Sequence, residues 1–110
     1  MMFSMHNRTS QYIDFEQLRR EASMEQVLAL VGYKPSTTCG AQWRGPCPIH
    51  NATSPGSRSL SINLERNVFQ CFSCGAKGNQ LDLAAALFGL TVYEAARELC
   101  RQLGIDPPTK

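Results

Sequence analysis

The sequence is short of acid. Its nine Asp and Glu residues are scattered over 110 positions and form none of the carboxylate clusters that hold catalytic divalent metals. Chemistry that depends on such clusters is not expected of this chain alone. No run of ~18 apolar residues occurs, so no membrane span is expected. The opening "MMFSMHNRTS" has no basic segment leading into an apolar stretch, so no signal peptide is expected and the expected compartment is the cytoplasm. Thiols stay reduced there, which argues against a disulfide framework. Charged residues are sparse at 18%, but 43% apolar residues place the chain outside the disordered class. No internal repeat is visible. One small domain is expected, with a core modest enough that a bound metal would matter to its stability.

What is present in quantity is cysteine: Cys39, Cys47, Cys71, Cys74 and Cys100, with His6 and His50 as the two histidines. Cys47-Pro-Ile-His50 and Cys71-Phe-Ser-Cys74 form two pairs, each with two residues between potential ligands. Two such knuckles arriving from different parts of a chain suit one tetrahedral zinc ion. A redox Cys-x-x-Cys belongs at a helix start, whereas this one follows a strand pattern and has a matching Cys-x-x-His upstream. A catalytic zinc keeps an open position. Four good ligands in two knuckles point instead to one closed, structural Zn2+. Cys39 and Cys100 lack knuckle spacing and are expected as small half-buried or buried thiols.

The remaining pattern predicts an α+β fold. Residues 1–13 are expected as a flexible tail, 14–107 as the domain and 108–110 as a second tail. Asp14 and Ser23 are capping residues for two short helices over 15–22 and 24–31, with Phe15, Leu18, Val27, Leu28 and Val31 facing a core. "AQWRG", "SLSIN" and "NVFQCF" are extended pieces, the last two joined as a hairpin by a turn at Leu64-Glu65-Arg66. Asn79 caps a helix over "QLDLAAALF" that ends at Gly89. Thr91 and Glu94 open a second one that Gly104 stops. Charge adds one asymmetry. Residues 34 to 80 carry Lys34, Arg44, Arg58, Arg66 and Lys77 against Glu65 alone, so the positive excess coincides with the cysteine-rich middle. A partner with a phosphate backbone is the reading this favours.

"CPIH" followed by "SLSINLERNVFQCFSCGAKGNQLDL" resembles the N-terminal zinc-binding domain of bacterial DnaG-type DNA primases. The resemblance extends from about Asp14 to Pro107. It implies a zinc ribbon, a small antiparallel sheet with two zinc knuckles packed against N- and C-terminal helices, with zinc on Cys47, His50, Cys71 and Cys74. It further implies recognition of single-stranded template DNA in primer initiation during replication. Nucleotidyl transfer would belong to a separate polymerase domain or subunit, and a replicative helicase is the other implied partner. No membrane or small-molecule substrate is implied. The loop after His50 is longer than the family's and lacks its Glu-Lys-Thr-Pro, so Arg58 would supply the basic group there. Gln70 stands where a histidine is frequent. Arg44, Arg58, Arg66 and Lys77 are the expected phosphate contacts, with Trp43 as the base-stacking aromatic and Phe72 in the core. The alternative is a zinc-ribbon interaction module that docks a polymerase, helicase or mobile-element protein.

Overall fold

Side-chain caps start each helix among the described residues, as their placement in the sequence predicts. The computed structural model describes residues 13–49 and 57–109. Asp14 accepts from Gln17 N (3.1 Å) to open α1, Phe15–Glu21. Ser23 and Gln26 exchange reciprocal bonds to open α2, Met24–Leu30. These bonds satisfy amide groups that a helix leaves without intrahelical partners. Leu18, Met24, Val27 and Leu28 are buried. Val31, expected inward, is 38% exposed, because α2 stops at Leu30 and Gly32 (φ +68) turns the chain away.

Five strands follow as an antiparallel meander in chain order: β1 (Thr37–Cys39), β2 (Gln42–Gly45), β3 (Leu60–Asn63), β4 (Val68–Cys71) and β5 (Lys77–Asn79). The three extended pieces of the sequence became β2, β3 and β4, and two edge strands join them. Gly45, Leu60, Ile62, Phe69 and Cys71 point inward and are buried, and the alternate residues form the outer face. The β3–β4 turn covers residues 64–67 and ends on Asn67 in the left-handed region (φ 55), a conformation asparagine tolerates.

Two helices close the chain. α3 (Gln80–Phe88) is capped by Asn79 with Asp82, and α4 (Val92–Leu103) by Thr91 with Glu94. Leu81, Leu83 and Ala84 of α3 meet Ala95, Ala96, Leu99 and Cys100 of α4 in one core with α1, α2 and the inner sheet face. Each fully buried Leu or Ile there contributes roughly 1.5–3 kcal/mol. The first and last described residues clasp each other. Ile13 is buried and bridges Thr109, and Asp14 N donates to Pro108 O (2.8 Å). Gln80 is the one buried polar side chain among the described residues. Its Nε2 donates to Arg19 O and Ala22 O (2.9 Å each), which locks the end of α1 onto the start of α3.

The Thr91 cap offers a simple check. Thr91 Oγ1 accepts from Glu94 N (3.1 Å) at an exposed helix start, so Thr91→Ala should cost about 1 kcal/mol. Urea denaturation should show a lower midpoint at unchanged slope. A midpoint equal to wild type would mean that α4 takes its stability from packing alone.

Candidate metal centre

The second knuckle begins where β4 ends. Cys71 is the last strand residue and is fully buried. The chain then turns through Phe72, Ser73 and Cys74. Ser73 N and Cys74 N both point back at Cys71 Sγ (3.4 Å each), and Cys71 N donates to Ala76 O (2.7 Å). Gly75 sits at φ +83, where the backbone bends under the sulfur and a side chain would be strained. Burial alone would raise the Cys71 thiol. The Cys74 and Ser73 amides and the neighbouring Cys74 and Cys47 thiols outweigh it and hold the group below its ordinary value. A thiol held toward thiolate is a thiol ready to ligate.

The first knuckle begins just past β2, where Cys47 is fully buried. Pro46 beside it is tied down by Tyr33, whose hydroxyl donates to Pro46 O (2.9 Å). Burial, and then the charge on Cys47, push the Tyr33 phenol up to about 12, so it stays a neutral donor. Tyr33 therefore positions the first knuckle, a role that sequence spacing does not suggest.

The two knuckles meet. The sulfurs of Cys47, Cys71 and Cys74 all lie within 4.8 Å of one another, with Cys47 and Cys74 4.0 Å apart. Sulfurs sharing a tetrahedral zinc with bonds of about 2.3 Å sit about 3.8 Å apart. The cluster thus fits zinc with little rearrangement, and a three-sulfur set is more than a disulfide exchange pair needs. Cys39, exposed on β1, and Cys100, buried in α4, are not in it. His50, the expected fourth ligand, lies outside the described residues.

The outer sheet face carries the other expected residues. Strand register places Thr37, Arg44, Ser61, Gln70 and Lys77 in one row across all five strands. A hollow of about 530 Å³ lies over β3–β5 on this face, lined by Ser61, Asn63, Val68, Gln70 and Lys77 among others. Arg44 and Lys77 thus share a face. Arg58 is exposed just before β3, and its carbonyl accepts from Arg44 Nε (3.1 Å). Arg66 stands apart, in the exposed β3–β4 turn.

The aromatics exchange their expected places. Trp43 pairs with Ile62 in the inward row and packs against the core, on the side opposite Arg44. Phe72, expected in the core, is 62% exposed, and the Arg44 guanidinium lies 5.2 Å from its ring centre. The reason is that Phe72 lies one residue beyond β4, where strand alternation no longer governs. The aromatic available beside the outer row is therefore Phe72, and not Trp43.

Comparison with known proteins decides the family. The model of the CHC2 zinc finger matches residues 10–110. The chain belongs to the CHC2 zinc finger family. It is 36% identical over 67 residues to the DNA primase of Geobacillus stearothermophilus, covering 61% of this chain and 11% of that protein. It is 28% identical over 91 residues to the DNA primase of Thermotoga maritima, covering 83% and 15%. The crystal structure of the Aquifex aeolicus primase, comprising its zinc-binding and RNA polymerase domains, superposes with a TM-score of 0.68 at 27% identity, covering 84% of this chain and 22% of that one. The CHC2 zinc finger is thus a primase-type zinc-binding domain whose cofactor is Zn2+, in keeping with the three-sulfur cluster. The chain spans a small fraction of the curated relatives it matches, and their catalytic domain is absent from these 110 residues. Among the described residues, no helix is long and apolar enough to cross a membrane.

Proposed function

We propose that this CHC2 zinc finger binds single-stranded template DNA on its outer sheet face and serves primer initiation in the cytoplasm. A polymerase domain or subunit would carry out nucleotidyl transfer, and a replicative helicase would be the second partner. Cys47, His50, Cys71 and Cys74 would hold one structural zinc. When bound, the metal supplies a cross-link between the knuckles, not reactivity. The row from Arg44 to Lys77, flanked by the exposed Phe72, is the observation that carries the reading. Two cations would take phosphates, and the polar Ser61 and Gln70 between them leave room for sugar and base. Phe72, backed by Arg44, would offer a stacking platform that tolerates any base.

Fluorescence anisotropy of the zinc-loaded chain against single-stranded and duplex DNA, at two salt concentrations, tests the reading. Each phosphate contact on a single strand contributes roughly 0.7 to the salt slope, so two or three contacts give a shallow one. Lys77→Ala and Arg44→Ala should each weaken binding and flatten the slope at full zinc content. Arg97→Ala, on α4 and bonded to Tyr93 Oη (3.3 Å), should do neither. Absence of any salt-dependent binding would move the assignment to a protein-docking module.

A further inference from the structure

Three cations outside the outer row converge on a second groove. It has a volume of about 350 Å³ and lies between α1, the β3–β4 turn and the start of α3. Arg19 and Arg20 of α1 and Arg66 of the turn line it, opposed by Glu16 alone. All three arginines are exposed. None of their guanidinium groups is engaged with another described residue, whereas Arg44, Arg97 and Arg101 are each bonded within the fold. Three guanidinium groups without a partner among the described residues, on one concave surface, form an anion site in charge and in donor count.

The walls of this groove are held in place. Gln80 Nε2 clamps the backbone of Arg19 and Ala22, fixing the end of α1 that bears both arginines. Asn67 Oδ1 accepts from Met24 N (2.8 Å), fixing the turn that bears Arg66 to the start of α2. Only the arginine side chains need to order when a ligand arrives, which keeps the entropic cost of binding low. The groove adjoins the hollow on the outer face, since Val68 lines both. A strand lying across the outer row would reach these arginines by passing Val68.

We infer that the Arg19–Arg20–Arg66 groove is a second phosphate-contact site, which takes the backbone of a single nucleic-acid strand as it leaves the sheet. The inference rests on the proposed binding at the outer face and extends its track around the sheet end onto α1. It makes affinity depend on strand length. A short strand fills the outer face alone, and a longer one reaches the arginines as well.

The test compares oligothymidylates of about 4 and about 12 nucleotides on the full zinc-loaded chain. In Arg19→Gln/Arg20→Gln, the salt slope for the long strand should flatten by about 1.4, the loss of two contacts, while the short strand is unaffected. Arg66→Gln should flatten the long-strand slope by about 0.7. Arg19→Lys/Arg20→Lys should restore most of the slope, which a purely structural role would not predict. Lys77→Ala should weaken both lengths. If Lys77→Ala weakens both lengths and the arginine variants leave the long strand unchanged, the groove inference falls and the outer-face reading stands. If neither strand binds wild type, both fall.

Discussion

Cys74→Ser is expected to abolish zinc binding and unfold the ribbon. The choice of cysteine makes the result clean. Cys47 and Cys71 are fully buried, so replacing either also disturbs packing, whereas Cys74 is exposed and its side chain adds little to the core. Any large effect of Cys74→Ser therefore reports on the metal. Apparent binding energies for structural zinc are ~10–16 kcal/mol at neutral pH, as large as the whole stability of a small domain. Elemental analysis should fall from one zinc per chain to none, and circular dichroism should lose the sheet signal. Cys39→Ser should keep its zinc, because Cys39 lies outside the sulfur cluster. A stoichiometric zinc content in Cys74→Ser, or loss of zinc in Cys39→Ser, would sink the ligand assignment.

Acid should act in the same direction as the mutation. The Cys71 thiol sits below its ordinary value in the folded chain. Its thiolate therefore contributes stability that is fully present above the unfolded thiol pKa, and that is lost as pH falls through the lowered folded value. Proton competition for the ligands adds to this. Zinc release followed with a chromogenic chelator should rise steeply on acidification and be small on the alkaline side.

The parts of this fold that could be read from sequence are the parts decided locally. A cap needs only a residue and its neighbours within three positions, so Asp14, Ser23, Asn79 and Thr91 announced the helix starts among the described residues. Cys-x-x-Cys announced the second knuckle in the same way, and Cys47 of the Cys-x-x-His pair joins its sulfur cluster. β1 and β5 did not show, because each is three residues long and β1 is exposed throughout, which leaves no apolar alternation to detect. Their pairing is imposed by the strands beside them. Tyr33 and Pro46 are joined across thirteen residues, and Arg19 and Arg66 come together only once the turn docks on α1 and α2. Juxtapositions of that kind arise from tertiary packing and leave no periodic trace.

Gly78→Ala is expected to cost at least about 2 kcal/mol, and for two separable reasons. Gly78 has φ +150, a region that residues with a Cβ rarely enter and that carries roughly 1–3 kcal/mol of strain. A Cβ at this position would also lie 2.6 Å from Asp82 Cβ and 2.7 Å from Asp82 Cγ. Asp82 is the third residue of α3, and its carboxylate accepts from Asn79 N (2.9 Å) to complete the capping box. Pushing it aside would break a cap worth about 1 kcal/mol. Asp82 is bonded to Asn79, where β5 meets α3, so the edge of the outer face that carries Lys77 would loosen with it. A double-mutant cycle separates the two causes. Asp82→Ala alone should lose only the cap. In Gly78→Ala/Asp82→Ala the collision is relieved while the backbone strain remains, so the double variant should be more stable than the sum of the single losses predicts. Chemical denaturation of the four zinc-loaded proteins measures this directly. Simple additivity would show that strain at φ +150 accounts for the whole effect and that Asp82 moves aside freely. Wild-type stability in Gly78→Ala would refute both terms.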